Sequence, residues 1–343
     1  KKCQGAAWHL DEHLHGDVYI ADAAVSWINS HQGDKPLFLQ VGFTGPPEPW
    51  DPLPRHLEMY EDRAMPVPVG RDGELAEKPP QQEAHKRRLA EALAHHESGI
   101  DMYAADEADI ERMRRHYYAK VTTVDEQLGK VMAALEARGY LENSLLVFCS
   151  DHGEMLGDHS LAYKWLMYDQ ITHIPLMIRD CRGGRLRRPG ESTMDLTSLI
   201  DLGPTLLDAA GIEVPGRLEG RSLLPYLNGG QIDPREFVYA EDNYLVMMRS
   251  TTHKLVYYIG QEEGELYDLV EDPAELWNLW DEPKAQEVKS AMLVRLLRWL
   301  AASSYYNGGY RRNRSDHAAA RWPAVDPYLH GSRSSGAPRT EQL

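Results

Sequence analysis

The sequence predicts a mixed α/β fold: an α/β sandwich with a mostly parallel sheet, followed by a smaller antiparallel sheet with a helix. Ser144–Cys149 and Ile174–Ile178 are short apolar runs, typical of strands inside a parallel sheet that helices cover. From Ile110 to Leu135, apolar residues recur every three or four positions, as on one face of a helix. After about residue 236, short strands alternate with polar turns, as in an antiparallel sheet.

The elements before the long helical stripe are a helix, a strand and a long excursion. Residues 17–31 predict a helix with one apolar face, and Pro36–Phe43 predicts a buried strand. The prolines between Pro46 and Pro54 then predict a rigid loop. Residues 61–104 are polar and rich in charge, which indicates a surface excursion or a lid with a solvated helix near 81–98.

The carboxyl-terminal elements are a helix over Asp201–Ala210, the antiparallel sheet and an amphipathic helix over 284–301. The four short strands are expected at Phe237–Tyr239, Leu245–Arg249, Lys254–Tyr258 and Glu265–Leu269. Three parts are therefore expected: a large α/β domain at 1–235, a small subdomain at 236–302 and an extended tail at 303–343. The tail is rich in Arg, Ser and Gly and lacks periodicity, so we expect it to be either disordered or docked on a neighbouring subunit of a homo-oligomer.

Composition excludes several classes of function. The net charge of −16 argues against a nucleic-acid partner and against an anionic membrane surface. No run approaches the ~20 apolar residues of a membrane span. A small anionic substrate remains compatible where a local cation dominates. The three cysteines are an odd number and widely separated, which favours a cytoplasmic location.

The strongest candidate for chemistry is the pair Asp151 and His152, directly after the strand that ends at Cys149. Ligands bind at the carboxyl ends of strands in open α/β sheets. A carboxylate beside an imidazole can ligate a divalent cation, and Gly153 lets the chain turn away. A solvated polar turn with a capping Asp is the alternative from pattern alone.

Other candidate site residues are less distinctive. Lys164, between two aromatic residues, is either a point charge for an oxyanion or an ordinary surface lysine. His173 is either a substrate contact or a hydrogen-bonded structural histidine. Trp50 and the excursion at 61–104 are the expected local contributors to the walls of a substrate crevice.

Four segments resemble the sulfatase family, including its phosphonate monoester hydrolase branch, in order and in spacing. They cover nearly the whole chain up to about residue 300. They are Lys35-Pro-Leu-Phe-Leu-Gln-Val-Gly-Phe43 with its proline loop; Tyr117–Gly129 leading into Ser150-Asp-His-Gly153; Ser198–Asp208 through Gly220-Arg-Ser-Leu223; and His253-Lys-Leu-Val with Glu265-Leu-Tyr-Asp-Leu and Asp272-Pro.

The resemblance implies an alkaline-phosphatase-like sandwich with a smaller antiparallel sheet, in agreement with the elements above. It implies that Asp151 and His152 are metal ligands and that Lys164 contacts the transferred sulfuryl or phosphoryl group. The metal would be Ca, Mg or Mn. Imidazole is a poor ligand for Ca and a fair one for Mn, which favours Mn.

The sequence departs from the family pattern in two respects. The family nucleophile lies in Cys/Ser-x-Pro/Ala-x-Arg, with the cysteine oxidised to formylglycine, and no cysteine in this sequence has that context. We expect that nucleophile upstream of Lys1, so this chain alone should be inactive and poorly stable. Where the family usually has Gly-Pro-His, this sequence has Gly45-Pro46-Pro47. Proline cannot transfer a proton, and Glu48 is the neighbouring group that could take over.

The expected function is metal-dependent hydrolysis of sulfate esters or of phosphonate monoesters. Two alternatives remain open: a non-catalytic member of the fold that acts as a binding protein, and a phosphodiesterase or phosphatase with a Ser or Thr nucleophile.

Overall fold

The structure, a computed structural model, describes residues 5–33, 35–93, 100–184 and 187–307. The chain divides into two compact units, Lys1–Leu186 and Arg187–Leu343. The predicted subdomain boundary at residue 235 lies inside the second unit.

The first unit contains five α-helices and two strands among its described residues. They are α1 (Gly16–Ser30), α2 (Pro54–Glu58), α3 (Pro80–Leu93), α4 (Glu107–Ala137), β1 (Leu145–Cys149), α5 (Asp169–Thr172) and β2 (Leu176–Asp180).

The predicted helices α1 and α4 are confirmed, and their apolar faces pack against each other. Ala21 and Ile28 of α1 form one core with Val131 and Ala134 of α4. A capping box begins α4, because the side chain of Asp106 accepts the backbone N–H of the third helical residue. The helix ends before Gly139, which has the left-handed φ of 71° that favours glycine.

Strands β1 and β2 form where apolar runs predict them, but they pair antiparallel. The parallel pairing expected for these two strands is wrong. A parallel pair needs a crossover of a dozen or more residues, usually a helix, whereas only one-turn helices lie between β1 and β2. Strand β2 begins at Leu176 rather than Ile174, since Pro175 has no N–H to give to the ladder.

The segment Pro36–Phe43 is not a strand in the described residues, which corrects the buried strand predicted there. Alternate side chains, Leu39, Val41 and Phe43, pack on the core between α1 and α4. Phe38 on the other side is 75% exposed. A strand needs a neighbour to accept its ladder hydrogen bonds, and no described segment pairs with this one.

The excursion is less solvated than its composition predicts. Gln82 of α3 has no exposed surface and His85 is 7% exposed, although both were expected to face solvent. The Oε1 of Gln82 accepts a hydrogen bond from the Tyr168 hydroxyl (2.9 Å), which offsets the cost of burying that oxygen. Residues 94–99, with His95 and His96, lie outside the described residues.

The second unit has the predicted antiparallel sheet with its helix. Its elements are α6 (Leu202–Ala209), α7 (Leu224–Leu227), β3 (Val238–Asp242), β4 (Leu245–Arg249), β5 (His253–Tyr258), β6 (Gly264–Asp268) and α8 (Gln286–Asn307). The strands pair in the order β3-β4-β5-β6.

One face of the sheet packs on α8. Val246, Met248 and Leu255 of the sheet form a core with Met292 and Leu296 of the helix. The helix continues to Asn307, beyond the predicted end at 301, so residues 303–307 belong to it rather than to the tail. Residues 308–343, on which the predicted subunit contact falls, lie outside the described residues.

Candidate active site

Asp151 and His152 lie directly beyond the carboxyl end of β1, as predicted. The Asp151 side chain is 84% exposed, and its Oδ2 lies 3.4 Å from Nε2 of His152. On the other side of the imidazole, Nδ1 lies 2.8 Å from the carbonyl oxygen of Gly153. A carbonyl can only accept, so Nδ1 carries the proton and Nε2 presents a lone pair. This is the tautomer that a metal ligand needs.

Lys164 joins the same site from the far side of the loop. Its Nζ lies 2.8 Å from Nε2 of His152, so the ammonium donates to the lone pair that faces it. The half-buried side chain also runs beside its neighbour, with Nζ 5.7 Å from the Trp165 ring centre. The structure therefore brings together Asp151, His152 and Lys164, which the sequence separates by up to thirteen positions.

The loop after His152 is held by backbone hydrogen bonds to the segment that includes α5. Gly153 N–H donates to the carbonyl of Ile171 (2.8 Å), and Glu154 N–H donates to that of Gln170 (3.1 Å). The approach is so close that a Cβ on Gly153 would lie 1.9 Å from the Gln170 carbonyl oxygen. Glycine is required here for space rather than for a positive φ.

Gly153→Ala is expected to lower the free energy of unfolding by about 3 kcal/mol, because either the His152 loop or the α5 segment must move. Thermal or urea unfolding of the purified variant measures it. Gly129→Ala is the matched control: Gly129 lies in α4 with open space around it, so the change should stabilise by about 0.5–1 kcal/mol. Equal stability of the Gly153→Ala variant and the wild type would contradict the close approach.

Two further ionisable groups lie near this loop. Burial, followed by the negative charge of Glu48, raises the pKa of Glu154 to about 7. Burial, followed by the charge of Glu154, also raises the pKa of Tyr117 above its usual range. Glu48 is itself exposed, so the proline loop brings a solvent-accessible carboxylate towards the Glu154 side of the site.

Trp50 is not an accessible wall, which corrects the expectation that it lines a crevice. The side chain is fully buried, and its ring stacks on Tyr163 at 5.9 Å between centres. It packs in one core with Ile100 and Met113, so a substrate has no surface of Trp50 to touch. Tyr163 precedes Lys164, and Trp50 therefore supports the site from within the core.

His173 is exposed and follows α5, where its backbone N–H donates to the Asp169 carbonyl. No described hydrogen bond joins its ring to Asp151, His152 or Lys164. A substrate contact by His173 stays a prediction.

The structure also shows an anchoring carboxylate that sequence reasoning missed. Asp17 in the first turn of α1 has no exposed surface, and its Oδ1 accepts the N–H groups of Thr44 and Gly45, each at 2.9 Å. It thereby fixes the start of the proline loop, whose Gly45–Pro46 and Glu48–Pro49 peptides are cis. A Cβ on Gly45 would lie 2.6 Å from Asp17 Oδ2, which explains the glycine.

A second missed anchor is the buried Arg114 of α4. Its Nε donates to the Leu156 carbonyl and its Nη1 to that of Pro66, each at 2.9 Å. A further nitrogen pairs with Asp158. Arg114 lies in a run of charged residues that looks solvated in sequence, and the only signal nearby was the cluster of ionisable residues at 151–159.

The described residues contain neither a cluster of metal ligands nor a membrane-spanning helix. Within them, no group of three or more His, Cys, Asp or Glu side chains is placed to hold a metal ion. Among the helices of the same residues, none combines the length and the apolar character needed to cross a bilayer.

Comparison with known proteins agrees with this architecture. Residues 6–212 match the family model of sulfatases, and residues 157–301 match that of the carboxyl-terminal part of N-sulphoglucosamine sulphohydrolase. An arylsulfatase of Clostridium perfringens is 28% identical over 82% of this chain and 56% of its own length. A choline-sulfatase of Rhizobium meliloti is 31% identical over 89% of this chain and 57% of its own.

A solved structure shows the same fold. The phosphonate monoester hydrolase of Agrobacterium radiobacter superposes with a TM-score of 0.74 and 27% identity, over 87% of this chain and 63% of that protein. The chain thus spans somewhat more than half the length of the relatives it matches. Because the sulfatase model covers more than half of the sequence and the predicted alkaline-phosphatase-like fold is confirmed, the chain belongs to the sulfatase family.

Proposed function

We propose that this protein hydrolyses sulfate esters or phosphonate monoesters, and that Asp151, His152 and Lys164 form part of its active site. The observation that carries the proposal is the convergence of a carboxylate, an imidazole lone pair and an ammonium group beyond β1. Both ester classes are named by relatives: sulfate esters by the arylsulfatase and the choline-sulfatase, and phosphonate monoesters by the structural neighbour.

The residues present fit a divalent cation in donor type. Asp151 offers an exposed carboxylate, and His152 offers an Nε2 whose lone pair is fixed by the hydrogen bond from Nδ1 to Gly153. These are two donors, so further ligands must come from beyond this pair. A bound Ca, Mg or Mn ion would supply positive charge to the non-bridging ester oxygens and favour an ionised nucleophile. The imidazole favours Mn over Ca.

The Lys164 ammonium can donate to His152 or contact an ester oxygen, but it cannot do both at once. The ammonium now donates to His152 Nε2, the atom that a cation would use. If a cation were held at Nε2, the Lys164 ammonium could no longer donate to that atom, and its Nζ would be available to an ester oxygen. The positive charge then lies where negative charge develops in the transition state. The positive charge of Lys164 would also attract a small anionic substrate locally, although the chain as a whole has a net charge of −16.

The departing alcohol needs a proton source other than residue 47, because proline has none to give. Glu48 is exposed and follows Pro47 directly, so we assign this step to it: its carboxyl group would take a proton from solvent and give it to the departing oxygen. The nucleophile is expected to be formylglycine, which family members carry, at a position that this sequence does not contain.

The proposal is tested by turnover of two esters with the same leaving group, 4-nitrophenyl sulfate and 4-nitrophenyl phenylphosphonate. The whole protein, with a divalent cation present, should release nitrophenolate from at least one at about 10⁶-fold or more above the uncatalysed rate. Heat-denatured protein is the control for adventitious metal. Release of neither nitrophenolate by folded, metal-bearing protein would support the non-catalytic alternative. Turnover of a phosphate monoester or diester instead would support the phosphatase alternative.

A further inference from the structure

A second group of polar and charged side chains is buried where the loop that carries Lys164 contacts residues 74–78. His159 has no exposed surface, and its Nδ1 lies 2.6 Å from Oε1 of Glu74, which is 3% exposed. Lys78, whose side chain is fully buried, places Nζ 3.3 Å from the same oxygen. The His159 ring stacks on Tyr168 with 4.0 Å between ring centres, so the buried group also has an aromatic wall.

This group is poorly explained as a device for stability. Removing charged groups from water costs about as much as their mutual attraction returns, so apolar residues of similar size would stabilise the fold equally well. Burial raises the pKa of Glu74, but the hydrogen bond and charge of His159, together with Lys78, outweigh it and hold that pKa below its usual value. A buried ion pair does orient its two side chains, because its hydrogen bonds fix the position of each partner.

The backbone around His159 needs such fixing. Within ten residues, five side-chain-bearing positions adopt the left-handed φ that L residues disfavour: Leu156, His159, Ser160, Tyr163 and Trp165, with φ between 48° and 71°. The last two flank Lys164 directly. Conformations of this kind persist only where the surroundings determine them, and they cluster at functional sites.

Glu74 fixes the loop at its centre. His159 N–H donates to the Val69 carbonyl, and its ring donates to Glu74, so residues 69–74 hold both the backbone and the side chain of His159. Tyr163, next to Lys164, is hydrogen-bonded to the start of the loop, because its backbone carbonyl accepts the Met155 N–H (3.1 Å).

The same histidine reaches the His152 side of the site. Its ring stacks on Tyr168, and its Nε2 lies 3.5 Å from the Gln170 side chain. The Gln170 carbonyl in turn accepts the N–H of Glu154, two residues after His152. The His152 side of the pair is therefore linked to His159 through Gln170, and Lys164 is linked to it through the backbone of the loop that both residues share.

We propose that Glu74, acting through His159, is a positioning residue for the Lys164–His152 pair. It contacts neither of them, and it sets the loop conformation that aims the Lys164 ammonium at the reacting ester. This inference rests on the proposed function for its kinetic part alone. Its structural part, that Glu74 orders residues 156–165, stands independently.

The test compares Glu74→Ala and Glu74→Gln in the whole protein, with Glu77→Ala as a matched control. Glu77 lies in the same short 3-10 helix, but its side chain is 57% exposed and pairs with Arg71 at the surface. Amide hydrogen exchange is followed in residues 156–165 and, as an internal reference, in α4. Turnover of the ester that the wild type hydrolyses is measured alongside.

Glu74→Ala should speed exchange in 156–165 by about 10-fold without changing α4, and should lower kcat by about 10- to 100-fold with little change in KM. Glu74→Gln, which keeps an oxygen acceptor for the His159 ring, should recover part of both losses. Glu77→Ala should match the wild type. Unchanged exchange in 156–165, or an equal rise across α4, would overturn the proposal. If the wild type turns over no ester, the exchange arm still decides it, so the two failures are distinguishable.

Discussion

Asp151→Ala in the whole protein is expected to abolish binding of the divalent cation and to lower kcat by about a thousandfold or more. The loss follows because a cation supplies several kcal/mol of transition-state charge stabilisation, and each 1.36 kcal/mol is a factor of ten in rate. The Asp151 side chain is 84% exposed, so its removal should leave stability unchanged. Elemental analysis of the purified variant and steady-state kinetics measure the two effects.

Asp125→Ala is the matched control for that variant. Asp125 is an exposed aspartate of α4, and its removal changes the net charge by the same amount without touching the loop after β1. It should retain both metal and turnover. Normal metal content and kcat in the Asp151→Ala protein would show that the cation, if any, is held elsewhere.

Lys164→Ala should separate catalysis from metal binding. Loss of one charged donor to a developing oxyanion costs about 2.7–4 kcal/mol, or about 10²–10³ in kcat. Metal content should persist or rise, because the ammonium that donates to His152 Nε2 competes with a cation for the same lone pair. The measurements are kcat, KM and a metal-binding isotherm for the two proteins.

Lys130→Ala provides the comparison for Lys164→Ala. Lys130 is a half-exposed lysine of α4 whose Nζ lies 3.9 Å from Glu126 Oε1, which is a long contact for an ion pair. Its loss should leave kcat within about twofold, as expected for a surface charge. A Lys164→Ala enzyme that loses its metal, or that turns over normally, would contradict the assigned role.

The position of the site was predictable because its signal is local. A run of apolar residues predicts β1, and polar residues directly after a strand predict a site at its carboxyl end. Asp151 and His152 are adjacent and therefore come together whatever the fold does elsewhere. The contact of His152 with Lys164 follows from the return of the chain between β1 and β2. The family resemblance implied that Lys164 belongs to the site, but it did not imply the antiparallel return.

The buried polar contacts were not predictable, for a physical reason. Glu74 and His159 are 85 positions apart, and hydropathy assigns both to solvent. A charged side chain can be buried only where the folded chain places a partner beside it, and hydropathy does not show that placement. Gln82 and Arg114 illustrate the same limit.

Errors in the strands have a related origin. The apolar run at Pro36–Phe43 predicted a buried strand, yet a strand exists only where a neighbour accepts its hydrogen bonds. The run shows which residues prefer to be buried and contains no information on pairing. For β1 and β2 it was likewise the intervening chain, with only one-turn helices, that decided the antiparallel direction.

We propose that Asp151, His152 and Lys164 form the cation- and oxyanion-binding part of an ester hydrolase. The most direct test is a crystal structure of the whole protein grown with Mn and soaked with sulfate, using anomalous scattering to locate the ion. We expect Mn bonded to the Asp151 carboxylate and to His152 Nε2, with the Lys164 ammonium turned from Nε2 to a sulfate oxygen. An ion bound without Asp151 and His152, or Lys164 still donating to Nε2 in the loaded site, would contradict it.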